Sequence, residues 1–112
     1  MIMKKWVGYK FESSSKKTPE FRAFAMDFKK ELKARLMPGM KLVEYSVGHF
    51  YVSGFIRGKG LVYFMTTDVR FDHDRWFDHL LIRTAKDTKD FTGGPNHYTR
   101  FADIGESVKE LI

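Results

Sequence analysis

The densest set of chemically capable side chains occupies eight consecutive residues, Asp72-His73-Asp74-Arg75-Trp76-Phe77-Asp78-His79. Imidazole nitrogens and carboxylate oxygens are the ligands left for a transition metal here, because the chain contains no cysteine. His73, Asp74 and His79 make the best trio for one zinc ion. If residues 74–78 close a helical turn, Asp74 and Asp78 fall on one side of it, four residues apart. His49 could join from the outer face of a neighbouring sheet, and His97 from a later loop. The spacing is not that of a known zinc motif: there is no HExxH and no histidine pair at i, i+4. The competing reading is a surface loop whose acids pair with Arg70, Arg75 and Arg83.

Other chemistries find less support. Two-metal phosphodiester hydrolysis needs carboxylates converging from several elements, and here a single short segment supplies them. Ser53 has no His–Asp relay recognisable in sequence, and Ser13, Ser14 and Ser15 fall in a loop by composition. Thr92-Gly93-Gly94-Pro95-Asn96 lacks the GxxxxGK[ST] pattern, and Pro95 removes an amide donor, so it reads as a turn ahead of the last helix rather than a phosphate loop. No catalytic residue is assigned. The chain is expected not to be an enzyme, with a metal-dependent hydrolase as the remaining enzymatic alternative.

Charge offers a second kind of site. The net charge is +6, and it is concentrated: residues 1–41 carry eleven Lys or Arg against four acids, whereas residues 42–112 carry nine against ten. A basic N-terminal third suits nucleic acid or an acidic patch on a protein, and the competing reading is a solvated lysine-rich surface. Lys4, Lys5, Lys10, Lys29, Lys30 and Lys33 are the candidate partner-binding residues. Trp6, Tyr9 and Phe11 alternate with Lys4, Lys5 and Lys10, and Tyr51, Phe55 and Tyr63 could stack on bases from a sheet face.

These residues need a scaffold, and 112 residues supply one domain, 1–112. A helix is expected from Pro19 to about Leu36, with Thr18 as N-cap and Pro19 at the first helical position. Phe21, Phe24, Ala25, Phe28, Leu32 and Leu36 form its apolar stripe, and Pro38 and Gly39 stop it. Strands follow at Lys41–Ser46, Val47–Arg57 and Leu61–Arg70, with a fourth at His79–Ala85. Gly48 is the expected bend or bulge, and Gly60 the left-handed residue of a three-residue hairpin loop. In the strand around residue 50, Phe50, Val52, Gly54 and Ile56 read as core-facing and His49, Tyr51, Ser53 and Phe55 as outward. Trp6 to Phe11 could add a short strand. Residues 86–98 read as a long turn-rich loop, a candidate functional loop. Phe101, Ile104, Val108 and Leu111 give the stripe of a terminal helix, in which Gly105 costs about 1 kcal/mol relative to Ala. The fold class is α+β: an antiparallel sheet of three to four strands with two helices on one face, in the order α-β-β-β-(β)-α.

No apolar run approaches the roughly 18 residues of a membrane span, and no signal peptide is recognised at the basic start. A cysteine-free chain of this size suits a reducing cytoplasm. Two stretches together, Tyr51-Val52-Ser53-Gly54-Phe55-Ile56 with Val62-Tyr63-Phe64, and Leu81-Ile82-Arg83-Thr84-Ala85-Lys86 through Thr92-Gly93-Gly94-Pro95-Asn96, resemble small accessory proteins of Gram-positive bacterial phages and integrative elements. Members of that size include anti-CRISPR proteins, which bind the RNA-guided nuclease of type II systems. The resemblance implies a small non-enzymatic inhibitor in the cytoplasm of a bacterial host, with the effector nuclease as protein partner. It brings no residue-level motif. A basic chain is a poor mimic of a phosphate backbone, so the expected contact is a protein surface outside the DNA groove, guide RNA or target DNA. The alternative is a DNA- or RNA-binding accessory protein of a mobile element using the basic N-terminal third.

Overall fold

The computed structural model describes residues 3, 6, 9, 18–49, 51–66 and 78–112. Helix α1 runs over Pro19–Arg35 and is followed by strands β1 (Lys41–Val47), β2 (Val52–Arg57), β3 (Leu61–Thr66), β4 (His79–Ala85) and β5 (His97–Arg100). A 3-10 turn at Phe101–Asp103 then leads into helix α2, Ile104–Leu111. The strands form one antiparallel sheet in the order β1-β2-β3-β4-β5, each pairing with its neighbour in sequence. The α+β class and the helix–strand order are as the sequence indicates. The fifth strand is an addition: only four residues long, it lies in a stretch too polar to show strand periodicity.

Helix α1 begins at Pro19, where the fixed φ suits the first turn, and Thr18 occupies the N-cap in extended geometry without a side-chain cap bond. Phe21, Phe24, Ala25, Phe28 and Leu32 are buried in the main core, and Leu36 packs at its edge. The same core takes Val52, Ile56, Val62, Phe64, Leu80 and Ile82 from one sheet face, and Phe101, Ile104 and Val108 from the chain's last elements. Both helices therefore cover one face. Phe28 stacks on Phe101 with ring centroids 4.8 Å apart, tying α1 to the entry of α2.

Two glycine assignments change. The bulge in β1 is not at Gly48 but between Val43 and Ser46, where Glu44 and Tyr45 together oppose Gly54. Glu44 takes the positive φ of 51° that the extra residue needs. The slip turns Tyr45 from the outer face to the core, where its hydroxyl donates to the Ala25 carbonyl at 2.7 Å. Gly48 sits in the β1–β2 turn, its amide bonding the Tyr51 carbonyl at 2.9 Å. Gly60 is not left-handed, since the positive-φ glycine among the described residues is Gly39, at 89°. Gly58 and Gly60 instead make room for Ile112, whose side chain would stand 2.9 and 3.0 Å from a Cβ at those positions.

The expected strand at Trp6–Phe11 is not formed at its described positions. Trp6 lies in 3-10 geometry and is buried, its indole N–H donating to Asp27 Oδ2 at 2.8 Å, and Tyr9 belongs to no regular element. Phe50 and residues 67–77 lie outside the described residues.

Candidate functional site

Of the expected metal ligands, His73 and Asp74 lie outside the described residues. His79 opens β4, half-buried and opposite Arg100. The Asp78 carboxylate forms an ion pair with Arg100, Oδ2 standing 3.7 Å from Nε, and the Asp78 carbonyl receives the Phe101 amide, so this residue ties the start of β4 to the end of β5. His97 pairs with Ile82, three register steps from the His79–Arg100 pair. Strand alternation over an odd number of steps puts His97 and His79 on opposite sheet faces. His49 is exposed in the β1–β2 turn, with β2 and β3 between it and β4. Among the described residues no three metal-ligating side chains come together.

The outer sheet face is not the polar surface that alternation suggested. Phe55, Leu61, Tyr63 and Leu81 form a second buried cluster there, with Val43, Met65 and Ala85 packed at its margin. Ser53 is buried too. Phe91, from the loop after β4, sits over this cluster with its ring centroid 5.8 Å from both Phe55 and Tyr63. Phe55 and Tyr63 are therefore not open to stacking bases, and buried Trp6 is likewise unavailable. Burial pushes the Tyr63 phenol above its ordinary value, against the opposing pull of the Ser53 hydroxyl and the Arg83 guanidinium.

The loop of residues 86–96 is a built structure. Asp90 accepts the backbone amides of Lys86 at 3.0 Å and Thr92 at 3.4 Å, and these bonds, the Lys86 amide foremost, hold its carboxyl below the ordinary carboxylate value. Gly93 leaves the space this carboxylate fills, since a Cβ there would overlap the Asp90 side chain. Gly94 lies against β4, where a Cβ would stand 2.9 Å from the Thr84 carbonyl oxygen. Arg83 latches both ends of the strap: Nε donates to Asn96 Oδ1 at 2.7 Å and a terminal nitrogen to the Phe91 carbonyl. The glycine pair thus shapes a strap leading into β5, not a turn before the last helix.

The basic candidates resolve more simply. Lys4, Lys5 and Lys10 lie outside the described residues, whereas Lys29, Lys30 and Lys33 are all exposed on α1. Arg22 joins them: positions 22, 29 and 33 stand at i, i+7 and i+11, on one side of the helix, with Lys30 flanking. Met26, 73% exposed, lies between them. The ridge is about 16 Å long at 1.5 Å per residue. Two of the three acids of the same helix are engaged away from it: Asp27 binds the Trp6 indole, and Glu31 pairs with Arg35 at 3.0 Å, while Glu20 lies exposed in the first turn. Lys29 also lies over the Tyr45 ring, 5.5 Å from its centroid. The periodicity that marked the apolar stripe of α1 also marks Arg22 as part of this ridge.

No known protein family matches this chain, and neither a curated protein nor a solved structure matches it. Among the described residues no helix is long and apolar enough to cross a membrane.

Proposed function

We propose that this chain is a non-enzymatic binding protein of a phage or mobile element, an inhibitor that occupies a type II RNA-guided effector nuclease through the basic ridge of α1. The observation that carries this reading is the one-sided placement of Arg22, Lys29, Lys30 and Lys33, with Asp27 and Glu31 of the same helix engaged elsewhere. Such a ridge adds attraction toward an acidic surface without a cost in folding, because the cations remain in water. The two resembling sequence stretches supply the partner class.

The test is a cleavage assay with several effector orthologues, run beside pull-down of the nuclease. Cleavage falls as the protein is added at and above equimolar amounts, and the Lys29→Glu/Lys30→Glu/Lys33→Glu variant restores it. Full cleavage at high excess with every orthologue, together with no capture, would sink the reading.

The same ridge supports a second reading, direct binding of DNA or RNA by an accessory protein. Phosphate contacts by four cations would make the affinity fall steeply with salt. A flat salt response, or no shift of any nucleic acid, removes that alternative.

A further inference from the structure

We propose that the sheet face turned away from the helices binds a single strand of nucleic acid. Two aromatic rings stand out from that face: Phe91 of the strap, 53% exposed, and Tyr98 of β5, 72% exposed. Phe91 belongs to it because its ring rests on Phe55 and Tyr63. Tyr98 belongs to it because it lies directly opposite Leu81, a member of the same cluster. Directly opposed residues of an antiparallel pair share a face.

Register fixes the cations of the same face. Arg57 lies opposite Leu61 of the cluster, and Lys41 lies opposite Arg57. Arg83 lies opposite Tyr63, its guanidinium 5.9 Å from the ring centroid. Arg100 stands two residues beyond Tyr98, opposite His79. Lys41, Arg57 and Arg100 are exposed. Like charges directly opposite across a strand pair cost stability. The fold sets Lys41 against Arg57 at one corner of the face. At the opposite corner it sets Arg100 against His79, a second such pair whenever the imidazole is protonated. An anion lying across each pair offsets that cost. Asp78 pairs with Arg100 at 3.7 Å and leaves its side chain largely in water. The strap's Asp87 and Asp90 are turned onto backbone amides.

The order of these groups along the face selects the ligand. The diagonal from the Lys41–Arg57 pair to the Arg100–His79 pair spans about 25 Å, from three strand spacings and six residues of rise. Phe91, Arg83 and Tyr98 lie between the two corners. Cations at both ends with exposed rings between them match a chain that presents phosphates and unstacked bases together. In a duplex the bases stay paired and stacked, so a double helix meets the cations and leaves the rings unused. An acidic polypeptide supplies the charge without a planar group for each ring. The face lies on the far side of the sheet from α1, so this assignment does not depend on the basic ridge.

The test is fluorescence anisotropy with labelled oligothymidylate and oligouridylate, beside a duplex of equal length and polyglutamate. At least one of the two single strands is expected to bind, and their comparison tells deoxyribose from ribose recognition. Duplex and polyglutamate bind at least about tenfold more weakly, the size expected from lost stacking. Tyr98→Ala, at an exposed position, weakens single-strand binding about tenfold, and Tyr98→Phe retains it. Lys41→Gln/Arg57→Gln lowers the log–log salt slope by about 1.4, from two lost phosphate contacts. Ring resonances of Phe91 and Tyr98 move upfield on binding. Lys29→Gln/Lys30→Gln/Lys33→Gln leaves the Tyr98→Ala loss in place. No binding of either single strand, equal affinity for duplex or polyglutamate, unchanged affinity in Tyr98→Ala, or a Tyr98→Ala loss that disappears with the ridge lysines would each overturn the proposal.

Discussion

Gly105 on α2 faces the Arg35 carbonyl at the end of α1 so closely that a Cβ would stand 2.5 Å from that oxygen and 3.1 Å from Met37 Cγ. The contact explains a residue that lowers helix propensity. Without a side chain at 105, the two helices cross backbone to backbone, which brings the Arg35 guanidinium 4.5 Å from the centroid of the Phe101 ring. Propensity and packing therefore make opposite predictions for Gly105→Ala. Propensity favours alanine by about 1 kcal/mol. Pushing a methyl group into a backbone oxygen costs about 1–3 kcal/mol or more, because the helix must shift. The expected net result is destabilisation of about 1–2 kcal/mol, read as a lower denaturant midpoint at unchanged m-value. An alanine variant as stable as the wild type would show that the helices are free to separate.

Tyr45 gives a pH-dependent prediction. Burial raises its phenol well above the ordinary value. The folded-state pKa exceeds the unfolded one, so the folded chain holds this proton longer. Its stabilising effect is complete below about pH 10 and is lost as pH climbs through the folded-state value. Tyr63 shifts in the same direction. Tyr45→Phe should cost about 1 kcal/mol at neutral pH, through the lost bond to Ala25, and should flatten the fall in stability above pH 10 without abolishing it. Denaturant melts at pH 8 and pH 11 measure both effects, and parallel losses in the two proteins would contradict the assignment.

Asp90 acts locally. Its carboxyl is held below the ordinary value by backbone amides. A depressed folded-state pKa means that the contribution is present above the ordinary carboxylate pKa of about 4 and is lost as pH falls through the lower folded value. The loop should therefore stay ordered in mild acid and loosen in strong acid. Asp90→Ala should raise hydrogen exchange at the Lys86 and Thr92 amides already at pH 6, with little change in core amides. Unchanged protection at Lys86 and Thr92 would show that the Arg83 latch alone holds the strap.

The parts of this fold legible in the sequence are those where one physical signal dominates. The apolar stripe of α1 repeats over four turns, and Pro38 with Gly39 ends it without ambiguity. The β2–β3 hairpin is similarly plain, because β-branched and aromatic residues flank Gly58 to Gly60. Alternation failed at Phe55 because it tells which residues share a face, not whether that face is covered. The cover, Phe91, comes from a loop whose composition signals only turns. Tyr45 was illegible for a different reason: the bulge at Glu44 changes which face the residue joins, and no residue in the segment announces the left-handed position that glycine or asparagine would. Of the expected site residues, the lysines of α1 were readable because exposure follows from the helix period. A metal site built from His73, Asp74 and His79 depends on the conformation of a single segment, which a spacing without a known motif does not encode.

The α1 ridge permits a separation of stability from binding. Lys30 and Lys33 are exposed and have no described packing role, so Lys30→Glu/Lys33→Glu should leave stability within about 0.5 kcal/mol of the wild type. Lys29 differs, because its ammonium lies 5.5 Å from the centroid of the Tyr45 ring. Lys29→Glu should cost about 0.5–1 kcal/mol at this partly exposed site. If the ridge is the contact with an acidic partner, all three reversals should reduce binding, and the salt dependence of affinity should weaken with each. Association rates should fall more than dissociation rates rise, because exposed charges mainly steer encounter. Thermal melts and surface-based kinetics at two ionic strengths check both halves. Variants that keep wild-type stability, affinity and salt dependence would move the contact away from α1 altogether.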